Sequence, residues 1–464
     1  MLEFNKKTNL MERTEFKYPL QDVKEPNLFR NLYSYKEVPK IAFNFRVHPM
    51  HVPDEIWITD TTFRDGQQSR QPYTPKQILH IYDLLHKLGG PKGLIRQSEF
   101  FLYSKNDRDA VYKCLERGYK NPEVTGWIRA LKKDFQLVKD IGLKETGILV
   151  SCSDYHIFHK LKMSRKQALE HYLRVIRECI DTGVRPRCHL EDITRADFYG
   201  FVAPFAVELM NLMEETGVPI KIRACDTMGY GVSFPGAVLP RSIPGIIYGL
   251  HHFARVPSEL LEWHGHNDFY KAVINSTTAW LYGSSAVNCS LFGIGERTGN
   301  CPLEAMVVEY AQLRGTLDGM DMTVITEIAE YYEKELGYRI PPRTPFVGSN
   351  FNLTRAGIHV DGLLKNQEIY NIFDTATLLN RPPTVAISNT SGLTGILHWL
   401  INKYIKGETV LTKRDPLVAR IKEWVDSEYK AGRVTIITDE ELEGVTSSIM
   451  KEMKITIEDL KKRQ

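Results

Sequence analysis

The feature that most constrains this chain is a series of short apolar segments separated by longer amphipathic stretches. The apolar segments have the length of buried strands, and the stretches between them show helical spacing. Residues 74–88, for example, place Pro75 in a first helical turn. Such alternation predicts βα units around a parallel sheet. We predict strands at Ile56–Asp60, Gly93–Glu99, Val124–Ile128, Glu145–Val150, Arg187–Glu191, Lys221–Asp226, Leu261–His266 and Ala286–Leu291.

Eight strands spread over about 240 residues match the size of a closed (β/α)8 barrel. A doubly wound open sheet fits less well, because no Gly-rich dinucleotide loop follows the first strand. We therefore predict an α/β chain whose TIM barrel spans residues 51–335. An aromatic extension interrupted by prolines, residues 1–50, precedes it. We expect this extension to pack along another surface, such as a neighbouring subunit.

The sequence after the barrel predicts a C-terminal, mainly helical appendage. Residues 336–395 are irregular and rich in Pro, Thr and Asn, which is typical of a linker subdomain. Residues 396–464 show mostly helical patterns, including a capping box that runs from Thr438 to Glu441. We therefore predict domain boundaries after residues 335 and 395.

Composition excludes several functional classes. The 464 residues carry a net charge of only +3, and acidic residues are interleaved with the basic ones, so no nucleic-acid partner is expected. The charged N-terminus lacks the apolar run of a signal peptide, and no stretch is long and apolar enough to span a bilayer. The seven cysteines are scattered, without metal-binding spacing. We expect reduced thiols and a cytoplasmic protein.

Polar residues collect where the predicted strands end, which is the face where barrel enzymes place their chemistry. Asp65 follows the first strand, and His264 and His266 close the seventh, on one side of it. Strands seven, eight and one are neighbours in a closed barrel, so two imidazoles and a carboxylate converge there. This set suits a divalent Mn, Co, Zn or Mg ion. The loop after strand eight brings the amide of Asn300 into the same region.

Each part of this cluster also has a plainer interpretation. An isolated Arg64-Asp65-Gly66 is usually a salt-bridged loop, and a His-x-His pair by itself is a weak metal signal. The glycines of residues 293–299 also permit a phosphate loop, although their spacing is not that of a P-loop. The convergence of three strand ends is what favours the metal site.

On the fifth strand, period-two alternation places Arg187, His189 and Glu191 on one face. Three ionisable groups cannot point into the dry outer layer, so they face the barrel interior. One interpretation is an internal ion network. The functional interpretation makes Arg187 a clamp for a substrate carboxylate, whose two oxygens suit a planar fork. Glu191, nearer the mouth, is then an acid/base group or the residue that orients one.

Seven ordered motifs stand out between Trp57 and Asn366. They are Asp60-Thr-Thr-Phe-Arg-Asp-Gly66, Ser153-Asp-Tyr-His156 with Lys160-Leu-Lys-Met-Ser164, Glu191-Asp-Ile-Thr194, Cys225-Asp-Thr-Met-Gly-Tyr230, His264-Gly-His-Asn-Asp268, Gly295-Glu-Arg-Thr-Gly-Asn300 and Gly357-Ile-His-Val-Asp-Gly-Leu363. Together they resemble the motifs of the DRE-TIM metallolyase family, in its Claisen-condensing branch. That branch includes isopropylmalate, citramalate, homocitrate and Re-type citrate synthases.

The resemblance implies a metal site next to a fixed positive charge. It assigns the ion to Asp65 and the two histidines of strand seven, with Asn300 completing or supporting the set. Arg64 looks like the residue that stabilises enolate charge. Glu99, on strand two, looks like the residue that orients Arg64.

The resemblance also implies substrate and acid/base residues. Thr227 looks like the hydrogen-bond donor to the carboxylate of a 2-oxo acid, and we count Gln68 and His189 with it as substrate-binding residues. His359, in the appendage, looks like an acid/base group delivered to the barrel mouth of a partner subunit. Members of this branch are domain-swapped dimers, so a homodimer is implied.

The implied activity joins acetyl-CoA to a 2-oxo acid and hydrolyses the thioester. Arg187 occupies the position where homocitrate synthases carry an arginine for the distal carboxylate, which favours a dicarboxylic acceptor. Gly147 replaces a histidine that the family often has, and Ile387-Ser-Asn-Thr-Ser-Gly392 replaces Gly-Lys-His-Ser-Gly. With the N-terminal extension, these departures most resemble Re-citrate synthases, which use oxaloacetate.

Other activities stay open at this point. Homocitrate synthase, with 2-oxoglutarate as acceptor, is the nearest alternative, followed by isopropylmalate or citramalate synthase. A different class is a lyase that cleaves a hydroxy-acyl thioester, or a metal-dependent hydrolase. Lyases of the superfamily generally lack the His359 appendage and carry a reactive cysteine after strand eight, in a pattern that Cys301 does not match. A non-catalytic binding role is a further alternative.

Overall fold

The predicted barrel is confirmed. The computed structural model describes residues 2–6, 9–13, 18–129, 131–355, 357–405 and 411–462. Within them, eight parallel strands close in chain order, with β8 paired to β1. The predicted strands agree with the observed ones to within two residues at each end. The strands are β1 Trp57–Asp60, β2 Ile95–Phe101, β3 Glu123–Ile128, β4 Glu145–Ser151, β5 Arg185–Glu191, β6 Lys221–Asp226, β7 Leu261–Gly265 and β8 Ala286–Cys289.

Some of the helices that follow these strands begin where a side chain satisfies free N–H groups. Thr74 Oγ1 accepts from the N–H of Gln77, and Gln77 Oε1 accepts from that of Thr74, directly before Pro75. Ser164 and Gln167 form the same capping box before α5. The helices of this unit are α1 Asp65–Gln68, α2 Pro75–Gly89, α3 Lys105–Glu116, α4 Lys132–Ile141, α5 Arg165–Asp181, α6 Ala203–Thr216, α7 Ile243–His252, α8 Ala272–Tyr282 and α9 Leu303–Arg314.

The interior of the barrel is charged rather than aliphatic. Barrel cores are usually filled by branched apolar side chains, but here Arg187 and Arg223 are fully buried. Arg187 lies 2.5 Å from Glu99 and 2.8 Å from Glu145, and Arg223 lies 2.6 Å from Glu262. Burial alone would raise the pKa of Glu99, yet the surrounding arginines hold it well below its ordinary value. The buried carboxylates are therefore ionised and paired.

The chain divides into two compact units, Met1–Asp321 and Met322–Gln464. The barrel boundary predicted at residue 335 therefore falls inside the second unit. The reason is that the first helix after the division packs there, where Thr326 Oγ1 donates to the carbonyl oxygen of Leu379 at 2.6 Å. The division predicted at residue 395 is not seen in the described chain, because Ile387 and Ile396 are buried in one core.

The second unit is mainly helical, as predicted, and Thr438 and Glu441 form the predicted capping box. Residues 406–410 and 463–464 of the predicted helical subdomain lie outside the described residues. No helix of the described chain is both long and apolar enough to cross a membrane. The elements are α10 Thr323–Lys334, α11 Gly357–Lys365, α12 Thr375–Leu379, α13 Leu393–Leu400, α14 Pro416–Lys430, α15 Asp439–Met453 and α16 Ile457–Lys462, with a parallel strand pair, Leu353–Thr354 and Thr384–Val385.

The N-terminal extension packs on the barrel of its own chain. The hydroxyl of Tyr33 donates to the carbonyl oxygen of Thr194 at 2.6 Å, and Arg241 Nη1 donates to that of Lys40 at 2.7 Å. The surface expected for this extension is thus formed by the chain's own loops after β5 and β6. A hairpin of Leu2–Asn5 and Leu10–Arg13 precedes it, while residues 1, 7, 8 and 14–17 lie outside the described residues.

Arg165, fully buried at the start of α5, joins the extension to two loops. It binds both carboxylate oxygens of Asp154, at 2.9 and 2.7 Å, Asp197 Oδ2 at 3.0 Å and the carbonyl oxygen of Gln21 at 3.1 Å. We expect Arg165→Met to lower the free energy of unfolding by about 3 kcal/mol, because it leaves the buried carboxylate of Asp154 without its partner. Urea denaturation measures this.

The matched control lies on the same helix. Arg177 pairs with Glu215 on the exposed surface, where ion pairs contribute little to stability. Arg177→Met should therefore leave the urea midpoint unchanged. Equal midpoints for the two variants would contradict the role given to Arg165.

Candidate active site

Three strand ends bring the predicted metal ligands together. Asp65 follows β1, His264 lies on β7 and His266 follows that strand, while β8 stands between β7 and β1. One ligand atom from each residue lies within 4.8 Å of the others. The Nε2 atoms of His264 and His266 are 3.7 and 3.8 Å from Asp65 Oδ2. All three residues are buried, so they form a compact and enclosed donor set.

Three buried polar atoms at this cluster have no hydrogen-bond partner among the described residues: Asp65 Oδ1, His266 Nδ1 and Asn300 Oδ1. Asn300 reaches the cluster because its backbone pairs with that of His266. Gly295 makes room for it, since a Cβ there would lie 2.3 Å from Asn300 Nδ2. Unpartnered buried polar atoms are costly, and a cation satisfies the two oxygens. The residues present therefore fit a divalent ion.

A chain of hydrogen bonds fixes the ring of His264. Thr59 donates its hydroxyl proton to Glu262, and its oxygen accepts from Asn288 Nδ2 at 2.9 Å. The side-chain Oδ1 of Asn288 then faces His264 Nδ1 at 2.8 Å, which makes Nδ1 the protonated nitrogen. The lone pair of Nε2 is thereby directed to the side of Asp65.

Burial decides the charge of the histidines. It lowers the pKa of His264 to about 3 and lowers that of His266 as well, so both rings are neutral at pH 7. Burial would raise the pKa of Asp65, but the neighbouring Arg64 guanidinium holds it below its ordinary value. Two neutral imidazoles and one carboxylate are the donor set of a catalytic divalent ion with open positions.

Arg64 lies beside the metal cluster, and Glu99 orients it. Its Nε donates to Glu99 Oε2 at 2.8 Å, and its Nη1 is 3.5 Å from Asp65 Oδ2. The guanidinium also lies 5.5 Å from the centre of the Trp127 ring. The structure thus places a fixed positive charge next to the cluster, in the Asp-Arg-Glu arrangement expected from the motifs.

A cavity of about 200 Å³ opens beside the cluster. Gln68, His189, Glu191 and Thr227, which were predicted from the sequence, line it together with the metal ligands from β1 and β7 and with Arg64. The remaining lining residues had no predicted role. They are Trp127, Leu149, Cys225, Glu296 and Arg297.

Neighbouring hydrogen bonds orient two donors in this cavity. The N–H of Asp192 donates to Thr227 Oγ1 at 2.8 Å, which leaves the Thr227 hydroxyl proton free. Arg187 Nε donates to His189 Nε2 at 3.3 Å, and burial lowers the pKa of His189 well below its ordinary value. The neutral ring therefore carries its proton on Nδ1. Gly147 makes room for it, since a Cβ there would lie 2.7 Å from His189 Nε2.

Glu191, at the mouth end of β5, is an ionised carboxylate. Ser151 Oγ donates to its Oε2, and the same oxygen lies 3.1 Å from His156 Nδ1 and 3.4 Å from Lys160 Nζ. Burial raises the pKa of Glu191, but the close contact with His156 and the other contacts bring it to about 2. At neutral pH this side chain can accept a proton but has none to donate.

Comparison with known proteins identifies the family. The HMGL-like family matches residues 55–331, more than half of the chain. The chain belongs to the HMGL-like family. It is 57% identical to a citrate (Re)-synthase of Clostridium kluyveri, over 96% of this chain and 98% of that protein. A citrate (Re)-synthase of Syntrophus aciditrophicus is 54% identical, over 95% and 71%. A homocitrate synthase of Methanopyrus kandleri is 28% identical, over 87% and 95%. The predicted resemblance is confirmed.

In this HMGL-like chain, Arg187 was predicted either to join an internal ion network or to clamp a substrate carboxylate. Arg187 is fully buried and donates to Glu99 and Glu145, and it does not line the cavity. This placement favours the internal ion network over a clamp for a substrate carboxylate. His359 belongs to the second unit, where it is exposed and its ring centre lies 4.5 Å from that of Tyr370.

Arg297 shows what the sequence missed in the HMGL-like motifs. It lies in Gly-Glu-Arg-Thr-Gly-Asn, lines the cavity, and donates to the carbonyl oxygen of Thr227 at 2.5 Å and to Asp268 at 2.9 Å. The motif alone does not predict the left-handed backbone of Arg297, which has a φ of 57°. His156 likewise lies in one of the motifs, but the motif does not predict its contact with Glu191.

Asn288→Leu should weaken metal binding, because His264 loses the acceptor that fixes its protonated nitrogen. Loss of such a supporting residue typically costs 10- to 100-fold in metal affinity, and we expect a rise of about that size in the Kd for Mn²⁺. Isothermal titration of the metal-free protein measures it. Asn288→Asp keeps an acceptor and should bind more tightly than Asn288→Leu. Unchanged affinity in Asn288→Leu would contradict this role.

Proposed function

We propose that this protein is a Re-type citrate synthase, which condenses acetyl-CoA with oxaloacetate and hydrolyses the thioester to give citrate and coenzyme A. The observation that carries the proposal is sequence identity: more than half of the aligned residues match in two citrate (Re)-synthases, over nearly the whole of this chain. The cavity supports it, because three candidate metal ligands, a fixed cation, neutral donors and an ionised carboxylate surround one small volume.

The acceptor side of the proposal concerns two carboxylates. Oxaloacetate has one carboxylate beside its ketone and a second one further away. The Thr227 hydroxyl donates to the first, and His189 donates from Nδ1 to the second, the task first expected of Arg187. Gln68 lines the same cavity and is a further donor. A divalent cation in the cluster supplies Lewis acidity to the ketone when bound.

The acetyl side of the proposal needs a base. Glu191 takes a proton from the methyl group of acetyl-CoA: the C–H bond breaks, an O–H bond forms, and the electron pair stays on the enolate. Arg64, held by Glu99, offsets the developing negative charge. The enolate carbon attacks the ketone carbon, and His359 is the proposed acid for the resulting alkoxide. Water then cleaves the thioester.

Three further properties are part of the proposal. We take Mn²⁺ from among Mn, Co, Zn and Mg, because imidazole, carboxylate and amide donors together suit a cation of intermediate hardness. A cytoplasmic location is supported by seven free, buried cysteines. A homodimer, in which His359 serves the cavity of the partner subunit, is supported by the exposure of that side chain.

The test of the function is coenzyme A release from acetyl-CoA with a panel of 2-oxo acids. We expect kcat/KM for oxaloacetate to exceed that for 2-oxoglutarate at least about tenfold, since one methylene in a fitted pocket is worth 1–3 kcal/mol. Chelation of the metal should abolish turnover. A preference for 2-oxoglutarate would indicate homocitrate synthase, and activity only toward hydroxy-acyl thioesters would indicate a lyase.

His189→Leu should lower kcat/KM for oxaloacetate about 10- to 100-fold, because the distal carboxylate loses its donor. Pyruvate lacks that carboxylate, so any turnover of pyruvate should fall much less. Steady-state assays with both acceptors measure the ratio. Equal losses with both acceptors would contradict the assignment, and His189→Asn, which keeps a nitrogen near the Nδ1 position, should recover part of the preference.

Mixing two inactive variants tests the shared site. Glu191→Gln damages the barrel cavity and His359→Ala damages the appendage, so each homodimer should be inactive. If His359 acts in the partner's cavity, half of the randomly mixed dimers regain one of two sites, giving about a quarter of wild-type activity. Assays after subunit exchange measure this recovery. Absence of recovery in a proven mixed dimer would place His359 in the cavity of its own chain.

A further inference from the structure

His156 lies between two consecutive carboxylates beside the cavity. It belongs to the π-helical turn Tyr155–Lys160 that follows β4. Its Nδ1 is 3.1 Å from Glu191 Oε2, and its Nε2 is 3.6 Å from Asp192 Oδ2. Both ring nitrogens therefore face negative charge, in a side chain that is only 18% exposed. The proposed reaction gives this ring no task.

Consecutive residues of a strand point to opposite sides, so a special backbone is needed for both carboxylates to reach one ring. Asp192 supplies it with a φ of 67°, in the left-handed region. Its carboxylate is held at 2.5 Å by Ser153 Oγ and at 2.8 Å by Arg195 Nε, and it is fully buried. Such conformations persist where the surroundings over-determine them, often at functional sites. The buried carboxylate of Asp192 therefore helps to fix the position of the His156 ring.

The contacts of Glu191 fall on one of its two carboxylate oxygens. Ser151 Oγ, His156 Nδ1 and Lys160 Nζ all approach Oε2. Lys160 stands four residues after His156, a spacing that places both on one side of a helical turn. These contacts leave Oε1 to the cavity that Glu191 lines. Oε2 therefore holds the carboxylate in place, and Oε1 is the oxygen available to a molecule in the cavity.

We propose that His156, assisted by Lys160, is a positioning residue that holds Glu191 Oε2 so that Oε1 meets the methyl group of the acetyl thioester. The inference rests on the base role proposed for Glu191. Positioning within a few tenths of an ångström matters for proton transfer, because a base must lie within hydrogen-bond reach of the proton it removes. His156 touches the base and not the substrate.

The experiment compares His156→Leu, His156→Asn and Lys160→Met in the metal-loaded full chain. His156→Leu should lower kcat at least about tenfold with little change in the KM for oxaloacetate, since proton transfer by a positioned group contributes 10²–10⁴-fold. The isotope effect on kcat with trideuterated acetyl-CoA should rise, because proton removal becomes slower. His156→Asn keeps a nitrogen donor near Nδ1 and should recover most of the rate. Lys160→Met should cost less than His156→Leu.

A matched control lies on the same turn. His159 is exposed, and His159→Leu should keep the wild-type kcat, isotope effect and melting temperature. Loss of rate in His156→Leu without a rise in isotope effect, and without recovery in His156→Asn, would overturn the inference. If His156→Leu fails to fold, His156→Asn and Lys160→Met decide: a raised isotope effect in Lys160→Met supports the inference, and wild-type kinetics in both overturn it.

If Glu191 is not the base, the kinetics of Glu191→Gln show it separately from those of the positioning variants. Glu191→Gln with wild-type kcat would remove Glu191 from the reaction and overturn the base assignment itself. Inactive Glu191→Gln together with wild-type kinetics in the three positioning variants would leave the base in place and overturn only the role of His156.

Discussion

The carboxylate of Glu99 is the interaction on which the barrel and its site both depend. It accepts from Arg64 at 2.8 Å, from Arg187 at 2.5 Å and from Arg223 at 3.1 Å, and it is 1% exposed. A buried carboxylate with three cations is stable only as part of a network that satisfies every member. The same network that fills the barrel in place of aliphatic layers therefore also sets the direction of the Arg64 guanidinium. Packing and charge placement cannot be separated here.

That network also determines which charges the side chains around the cavity carry. The charge of Arg187 is balanced by Glu99 and Glu145, and its Nε donates a hydrogen bond to His189. The cavity consequently presents the uncharged side chains of His189 and Thr227, while Arg64 places a fixed positive charge beside Asp65 and the two histidines. Fixed dipoles that need no reorganisation are an effective way to stabilise charge as it develops.

The sequence predicted the features that depend on the spacing of apolar residues and on the order of strands in the barrel. All eight strands, their closure and the convergence of Asp65 with the histidines of β7 follow from alternation and from the neighbourhood of β7, β8 and β1. The state of Arg187 did not follow, because its partners Glu99 and Glu145 come from other strands, and pairing across a barrel depends on register. The ring orientation of His264 likewise depends on Asn288, which carries no signal in the sequence. Residues whose role is set by backbone φ, such as Asp192 and Arg297, could not be assigned either.

The N-terminal extension has a consequence for synthesis of the chain. Tyr33 is 161 residues away from its acceptor on Thr194, and Lys40 is 201 residues away from Arg241. At ribosomal speeds of 5–20 residues per second, the extension waits roughly 10–30 s before the first of these partners is made. During that interval its aromatic side chains have no native surface to pack against. The extension can dock only after the loops that follow β5 and β6 have been synthesised.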